Sequence, residues 1–322
     1  TRDELVDFLQ SSLARFADWL ATLAALREQR DASAAALPFP HGEFRRGQRD
    51  IAEQVYRCIA RGGQLLLEAP TGIGKTAAVL FPAIKAFGRD IHEVVVYVTA
   101  KTVGRRSAEQ TLALLREAGY RGCALTRSAR DDVCLSPGHA CHGDDCPYAR
   151  GYYDKLPGAM AAAIAAPVLS RDALVALARE HAVCPYQLAF DLAPWMETII
   201  ADQHYLYSLT AGLGTLLADD TRRWTVLLDE AHNLPDRARS MYRAELRKSD
   251  LMAARRAVPP PLRRDLDKVN RALLDLQGEE WDEPGFSSAG AVPAGLAGAL
   301  QQLSLIHISE PTRPNAPSRM PS

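Results

Sequence analysis

The sequence predicts an α/β fold built on a parallel sheet, and three observations predict it. Short apolar runs alternate with stretches of helical rhythm along the first half of the chain. A small-residue loop, EAPTGIGKT (68–76), lies between one such run and the helix that follows it. A later run, WTVLL, ends directly in the acids of DEAH (229–232). In parallel sheets the carboxyl ends of the strands carry the ligand chemistry.

The elements follow in order. Leu5, Phe8, Leu9, Leu13, Phe16, Leu20, Leu23 and Leu26 recur at spacings of three and four, one face of a helix over residues 1 to about 30. Residues 31–42, DASAAALPFPHG, read as a linker of small residues, prolines and a glycine. Residues 48–60 are helical; Gly62-Gly63 breaks the pattern, and QLLLEA (64–69) is a buried-strand candidate. Residues 75–87 form a helix, EVVVYVTA (93–100) a β-branched strand, and 105–118 another helix. Residues 120–190 interrupt this rhythm. TIIADQHYL (198–206) and WTVLLDEAH (224–232) resume it, and 240–275 is charged helix broken by VPPP (258–261). No internal repeat is visible.

Composition bounds the function. The chain has 322 residues, 47% hydrophobic and 24% charged, room for roughly two globular domains. A net charge of -1 points to no polyanion partner, so nucleic-acid binding would have to come from local patches. No apolar run nears the roughly 20 residues of a membrane span. The start, TRDELVDFLQ, is charged and amphipathic, unlike a signal peptide, so a cytoplasmic, reducing compartment is expected. The chain opens in mid-helical rhythm without Met, which suggests that something precedes it. Residues 303–313, LSLIHISEPTR, look like a translated sequencing adapter, so 303–322 is expected to be a non-native tail, set aside like a tag.

In EAPTGIGKT, Ala69 replaces the first glycine of the G-x-x-x-x-G-K-[ST] pattern, while Gly72-Ile73-Gly74-Lys75-Thr76 is intact. Small residues let backbone N–H groups wrap phosphates, and the helix N-terminus adds its dipole. Lys75 would reach the β- and γ-phosphates and Thr76 would hold Mg²⁺. Asp229, at a strand's end, can take the same Mg²⁺, and Glu230 can orient and deprotonate an attacking water.

Cysteine is sparse except in VCLSPGHACHGDDC (133–146), which places Cys134, Cys141 and Cys146 in a loop; Cys58, Cys123 and Cys184 complete the set. In a reducing compartment such a cluster favours a metal over a disulfide. His139 and His142 flank Cys141, and Cys/His mixtures suit Zn²⁺, although two tight C-x₂₋₄-C pairs are lacking.

These motifs together resemble the superfamily 2 iron–sulphur DNA helicases of the XPD/DinG type, over about residues 41 to 240. Glu43-Phe44-Arg45 leading to Gln48 looks like the adenine-reading segment, EAPTGIGKT like motif I, YVTAKT (97–102) like motif Ia, and DEAHN (229–233) like motif II. The resemblance implies a RecA-like P-loop sheet as motor domain 1, residues 43–120 and 190–239. A cluster insertion would occupy 121–189, and 240–302 would begin a helical arch. It implies ATP and Mg²⁺ bound by Gln48, Thr71, Gly72, Gly74, Lys75, Thr76, Asp229 and His232, with Lys75, Asp229 and Glu230 catalytic. A [4Fe–4S] cluster would sit on Cys134, Cys141, Cys146 and Cys184, separated by six, four and thirty-seven residues. Cys123 in place of Cys134, and Zn²⁺ in place of the cluster, remain open.

The implied partner is single-stranded or forked DNA, unwound 5′-to-3′ by a monomer in repair or replication, with no membrane. Cations for the DNA backbone are Arg45, Arg46 and Arg49; Lys101, Arg105 and Arg106; Arg121, Arg127 and Arg130. Tyr148, Tyr152 and Tyr153 could stack bases. Nothing after Glu283 looks like the family's second motor domain, so the chain reads as the first half of a helicase, with little or no turnover alone. A P-loop ATPase of another kind, or a zinc-stapled nucleic-acid-binding module, are the alternatives.

Overall fold

The computed structural model describes residues 2–70, 72–207, 213–218, 221–277 and 290–309. Among the described residues five strands form one sheet: β1 (Val94–Thr99), β2 (Ala124–Thr126), β3 (Val168–Leu169), β4 (Thr198–Asp202) and β5 (Trp224–Leu228). Their order is β3-β2-β4-β1-β5, and every pairing is parallel. The predicted α/β parallel sheet is therefore the fold. The interior strand β1, VVVYVT, is buried at all its positions. That suits β-branched side chains covered on both faces. Val96 is in register with Ile199 on one side and Val226 on the other.

The helices before β2 are α1 (Arg2–Ala36), α2 (Gln48–Arg61), α3 (Lys75–Phe87) and α4 (Thr102–Glu117). Between β2 and β4 come α5 (Arg130–Val133), α6 (Tyr152–Ala165), α7 (Arg171–Glu180) and α8 (Pro185–Leu192). The short α9 (Gln203–Tyr207) and α10 (Leu213–Leu217) precede β5, and α11 (Leu234–Met241) follows it. Strand side chains alternate between faces. Val94, Val96 and Val98 pack with Ala159, Leu174 and Leu188 of α6, α7 and α8. Val95 and Tyr97 pack with Leu80, Ile84, Leu112 and Leu115 of α3 and α4. The sheet thus lies between two helical layers, and its carboxyl edge opens toward the loops.

The first helix runs past the expected linker boundary to Ala36. DASAAA is rich in the best helix former, and burial of Ala34 rewards the extension. Arg30 is buried beneath this last turn. Its guanidinium pairs with Asp31 at 2.6 Å and Glu197 at 3.4 Å, and lies 4.3 Å from the Phe87 ring centre. Trp19 meets Trp195 edge-on at 5.6 Å.

One expected strand is absent. Residues 64–69 adopt no regular structure, and Leu66 is 90% exposed. A strand needs a neighbour's hydrogen bonds. Among the described residues 64–69 pair with no strand, and the outer edge of β5, which pairs only with β1, stays open.

The described residues divide into two compact units, 1–242 and 243–322. In the second, α12 (Lys248–Ala257), α13 (Pro260–Gln277) and α14 (Ala294–Ser309) surround Leu251, Leu266 and Val269. The expected VPPP break falls between α12 and α13, where proline cannot continue a helix but can start one. Helix α14 runs through residues 303–309 of the segment set aside as a tail. Residues 310–322 lie outside the described residues.

Candidate nucleotide site and cysteine cavity

The phosphate loop closes at the N-terminus of α3, where unpaired backbone N–H groups favour an anion. Gly72 and Gly74 have φ of +84° and +82°, a region costly for any residue with a Cβ. A Cβ on Gly74 would stand 2.6 Å from Gln48 Nε2. Gln48, fully covered, donates to Gly74 O at 3.2 Å and accepts from the Arg45 backbone N–H at 3.0 Å. Arg45 Nη1 donates to Gly72 O at 2.7 Å. The stretch ahead of the loop is therefore clamped onto it. Lys75 Nζ donates across the loop to Ala69 O at 3.2 Å. Thr71, also expected at the phosphates, lies outside the described residues.

Asp229 follows β5 directly, and its backbone N–H donates to Val98 O at 2.8 Å. Thr99 Oγ1 donates to Asp229 Oδ2 at 3.2 Å, and Gln203 Nε2 to Asp229 O at 3.1 Å. Glu230 has φ +54°, a rare conformation for a non-glycine residue and one that clusters at functional sites. Its carboxylate stands 3.6 Å from Lys101 Nζ and 3.5 Å from His232 Nε2. The Tyr97 phenol is buried close to Thr76 and Asp229. Burial first, then the Asp229 carboxylate, holds it well above its ordinary pKa. The Thr76 hydroxyl, which accepts from Ser107 Oγ at 3.0 Å, and the Asp229 carboxylate are hard oxygen donors of the kind a divalent cation takes, so the residues present fit Mg²⁺.

Cys134, Cys141, Cys146 and Cys184 all line one cavity of about 400 Å³, with His139, His142, Tyr148, Tyr152, Tyr153 and Tyr186. Cys184 is the N-cap residue of α8, and its side chain makes no capping hydrogen bond. Burial raises its thiol pKa, and the Gln187 and Tyr186 backbone groups oppose the rise. Tyr152 OH donates to Asp191 at 2.7 Å and Gln187 Nε2 to the same carboxylate at 3.1 Å, fastening α6 to α8 behind the cavity. Cys123 does not line the cavity. Its sulphur faces Ile164 O at 3.4 Å, and burial pushes its pKa up to about 11. Among the described residues no group of three or more His, Cys, Asp or Glu side chains stands close enough to hold a metal ion. Four thiols on one cavity nevertheless match the donor set of a cubane cluster in kind and number.

Sequence reasoning missed Tyr97, Thr99, Gln203 and Ser107 as neighbours of the nucleotide site. Tyr97 and Thr99 stand two residues apart on one strand and so share the α3 and α4 face, a signal the alternation carries. Gln203 and Ser107 had no such signal. Arg127, named for DNA, is instead buried, with its guanidinium against the rings of Phe190 and Tyr205 at 5.3 and 4.7 Å.

A parallel sheet with a phosphate loop at one helix and an acidic pair at a strand's end is the arrangement of a P-loop nucleotide site. The DEAD/DEAH box helicase family matches residues 49–132, and the DEAD_2 family matches residues 123–251. The ATP-dependent helicase DinG of Mycobacterium tuberculosis is 27% identical over 255 residues, covering 67% of this chain and 38% of that protein. Human regulator of telomere elongation helicase 1 is 21% identical over 305 residues, covering 76% of this chain and 24% of that protein. A solved structure titled XPD_Helicase superposes with a TM-score of 0.55 at 18% identity, covering 83% of this chain and 46% of that one. These matches are to helicases of the DEAD/DEAH box, DinG and XPD kinds. The chain spans less than half the length of the curated relatives named here. No described helix is long and apolar enough to cross a membrane.

Proposed function

We propose that this chain is the first motor segment of an ATP-dependent DNA helicase that translocates 5′-to-3′ on single-stranded DNA in repair or replication. The observation that supports this most is the meeting of Lys75, Thr76, Asp229 and Glu230 at one edge of the sheet, beside the cationic segment Lys101–Arg106. Gln48 reads the base, while Gly72, Gly74 and the α3 amides cradle the phosphates and Lys75 neutralises their charge. Thr76 and Asp229 would hold Mg²⁺, which supplies charge stabilisation to the phosphates when bound. Glu230 orients the attacking water and accepts its proton, with His232 and Lys101 at its carboxylate. A second motor domain, as the resemblance implies, would complete turnover.

Cys134, Cys141, Cys146 and Cys184 would hold a [4Fe–4S] cluster that closes the long loop between β2 and β4 and stiffens the insertion. Zinc is the alternative, favoured by His139 and His142 on the same cavity. The nucleotide reading predicts that Lys75→Ala abolishes binding of a fluorescent ATP analogue and leaves the metal content unchanged. Unaltered ATP binding by that variant contradicts it.

A further inference from the structure

The segment from Tyr97 to Ser107 carries more than the cations assigned to the DNA backbone. Four of its residues reach into the nucleotide site. Ser107, in the second turn of α4, donates from Oγ to the Thr76 hydroxyl at 3.0 Å. Tyr97, 1% exposed on β1, is buried close to Thr76 and Asp229. Thr99 Oγ1 donates to Asp229 Oδ2 at 3.2 Å. Gly104 completes the fit by having no side chain, since a Cβ there would meet Thr99 Oγ1 and stand 2.8 Å from Asp229 Oδ2. The two groups that would take the cation come from elements far apart in sequence, α3 and the end of β5. What joins them is this one segment.

We propose that Ser107 and Thr99 are positioning residues of the metal site: from one segment they hold the Thr76 hydroxyl and the Asp229 carboxylate so that one divalent cation meets both. This rests on the nucleotide reading above. The hydroxyl inventory agrees with it. A threonine oxygen has two acceptor lone pairs and one hydrogen. Ser107 donates to one lone pair of Thr76, and the other stays available to a cation. Thr99 donates to Oδ2 of Asp229, which leaves Oδ1 for the cation. Groups that orient metal ligands in this way commonly set metal affinity as strongly as they set geometry. Neither residue is assigned a phosphate contact, so nucleotide binding without metal should not need them.

The test is binding of a fluorescent ATP analogue to the 322-residue chain, with Mg²⁺ and with excess EDTA. The proteins compared are wild type, Ser107→Ala, Thr99→Val, Ser107→Thr and Lys75→Ala. Thermal melts report on folding. The expected result is an affinity about tenfold or more weaker with Mg²⁺ in Ser107→Ala and Thr99→Val, unchanged in EDTA, and restored at position 107 by Ser107→Thr. Wild-type Mg²⁺ dependence in both variants overturns the proposal. So does an equal loss with and without Mg²⁺, which is what a merely structural role produces. Failure of wild type to bind nucleotide, or binding by Lys75→Ala equal to wild type, instead overturns the nucleotide reading beneath it.

Discussion

The Lys101 ammonium stands 3.6 Å from the carboxylate of Glu230, the group assigned to the attacking water. One cation thus sits between the nucleotide chemistry and the segment assigned to DNA phosphates. In the full-length enzyme Lys101→Ala is expected to raise DNA-free ATP hydrolysis and to reduce its stimulation by single-stranded DNA. The lysine is 61% exposed, so the pair is worth about 1 kcal/mol or less, and the basal change should not exceed about fivefold. Steady-state turnover with and without an oligonucleotide checks this. An unchanged stimulation ratio removes Lys101 from the coupling.

Arg30 predicts a large effect far from the site. Its buried guanidinium is held by Asp31 and Glu197, and Glu197 also accepts the Cys123 backbone N–H at 2.8 Å. Arg30→Ala leaves the buried Glu197 without its cation, which should cost about 3–5 kcal/mol. Arg30→Met with Glu197→Gln should recover most of that loss, because the buried carboxylate is gone and the Asp31 carboxylate, 32% exposed, still reaches water. Denaturant melts of the single and double variants check the difference.

His92 predicts a pH dependence. It is buried with Nδ1 2.7 Å from Thr225 Oγ1, and burial pulls its pKa from 6.5 down to about 4. Between those values the unfolded chain binds the proton and the folded chain does not. Stability is therefore fully present above the unfolded value and is lost as pH falls from 6.5 toward 4. The upper bound is about 3 kcal/mol. Melts from pH 7.5 to pH 4 on wild type and His92→Gln should differ in slope over that window; equal slopes contradict the assignment.

Much of this was legible before any coordinates. Val94 to Val98 announce a covered strand because both their faces are apolar, and GIGKT announces its loop because only small residues fit there. Cys134, Cys141 and Cys146 group by their closeness in the chain, Cys184 joins them only through the family resemblance, and the fold lines one cavity with all four. Residues 64–69 mislead because an apolar run describes a side chain's preference for burial and says nothing of whether the backbone pairs with a strand. Ser107 and Gly104 were invisible because their meaning lies in what the fold places opposite them, Thr76 and Asp229, and no local pattern encodes that.

The central claim is an iron–sulphur helicase motor, and metal content tests it most directly. The 322-residue chain would be purified without oxygen and assayed for iron, acid-labile sulphide and zinc on one sample, beside Cys184→Ser. The account predicts about four iron and four sulphide per chain, lost in the variant, with ATP-analogue binding kept in both. Zinc without sulphide, or iron that survives Cys184→Ser, contradicts it.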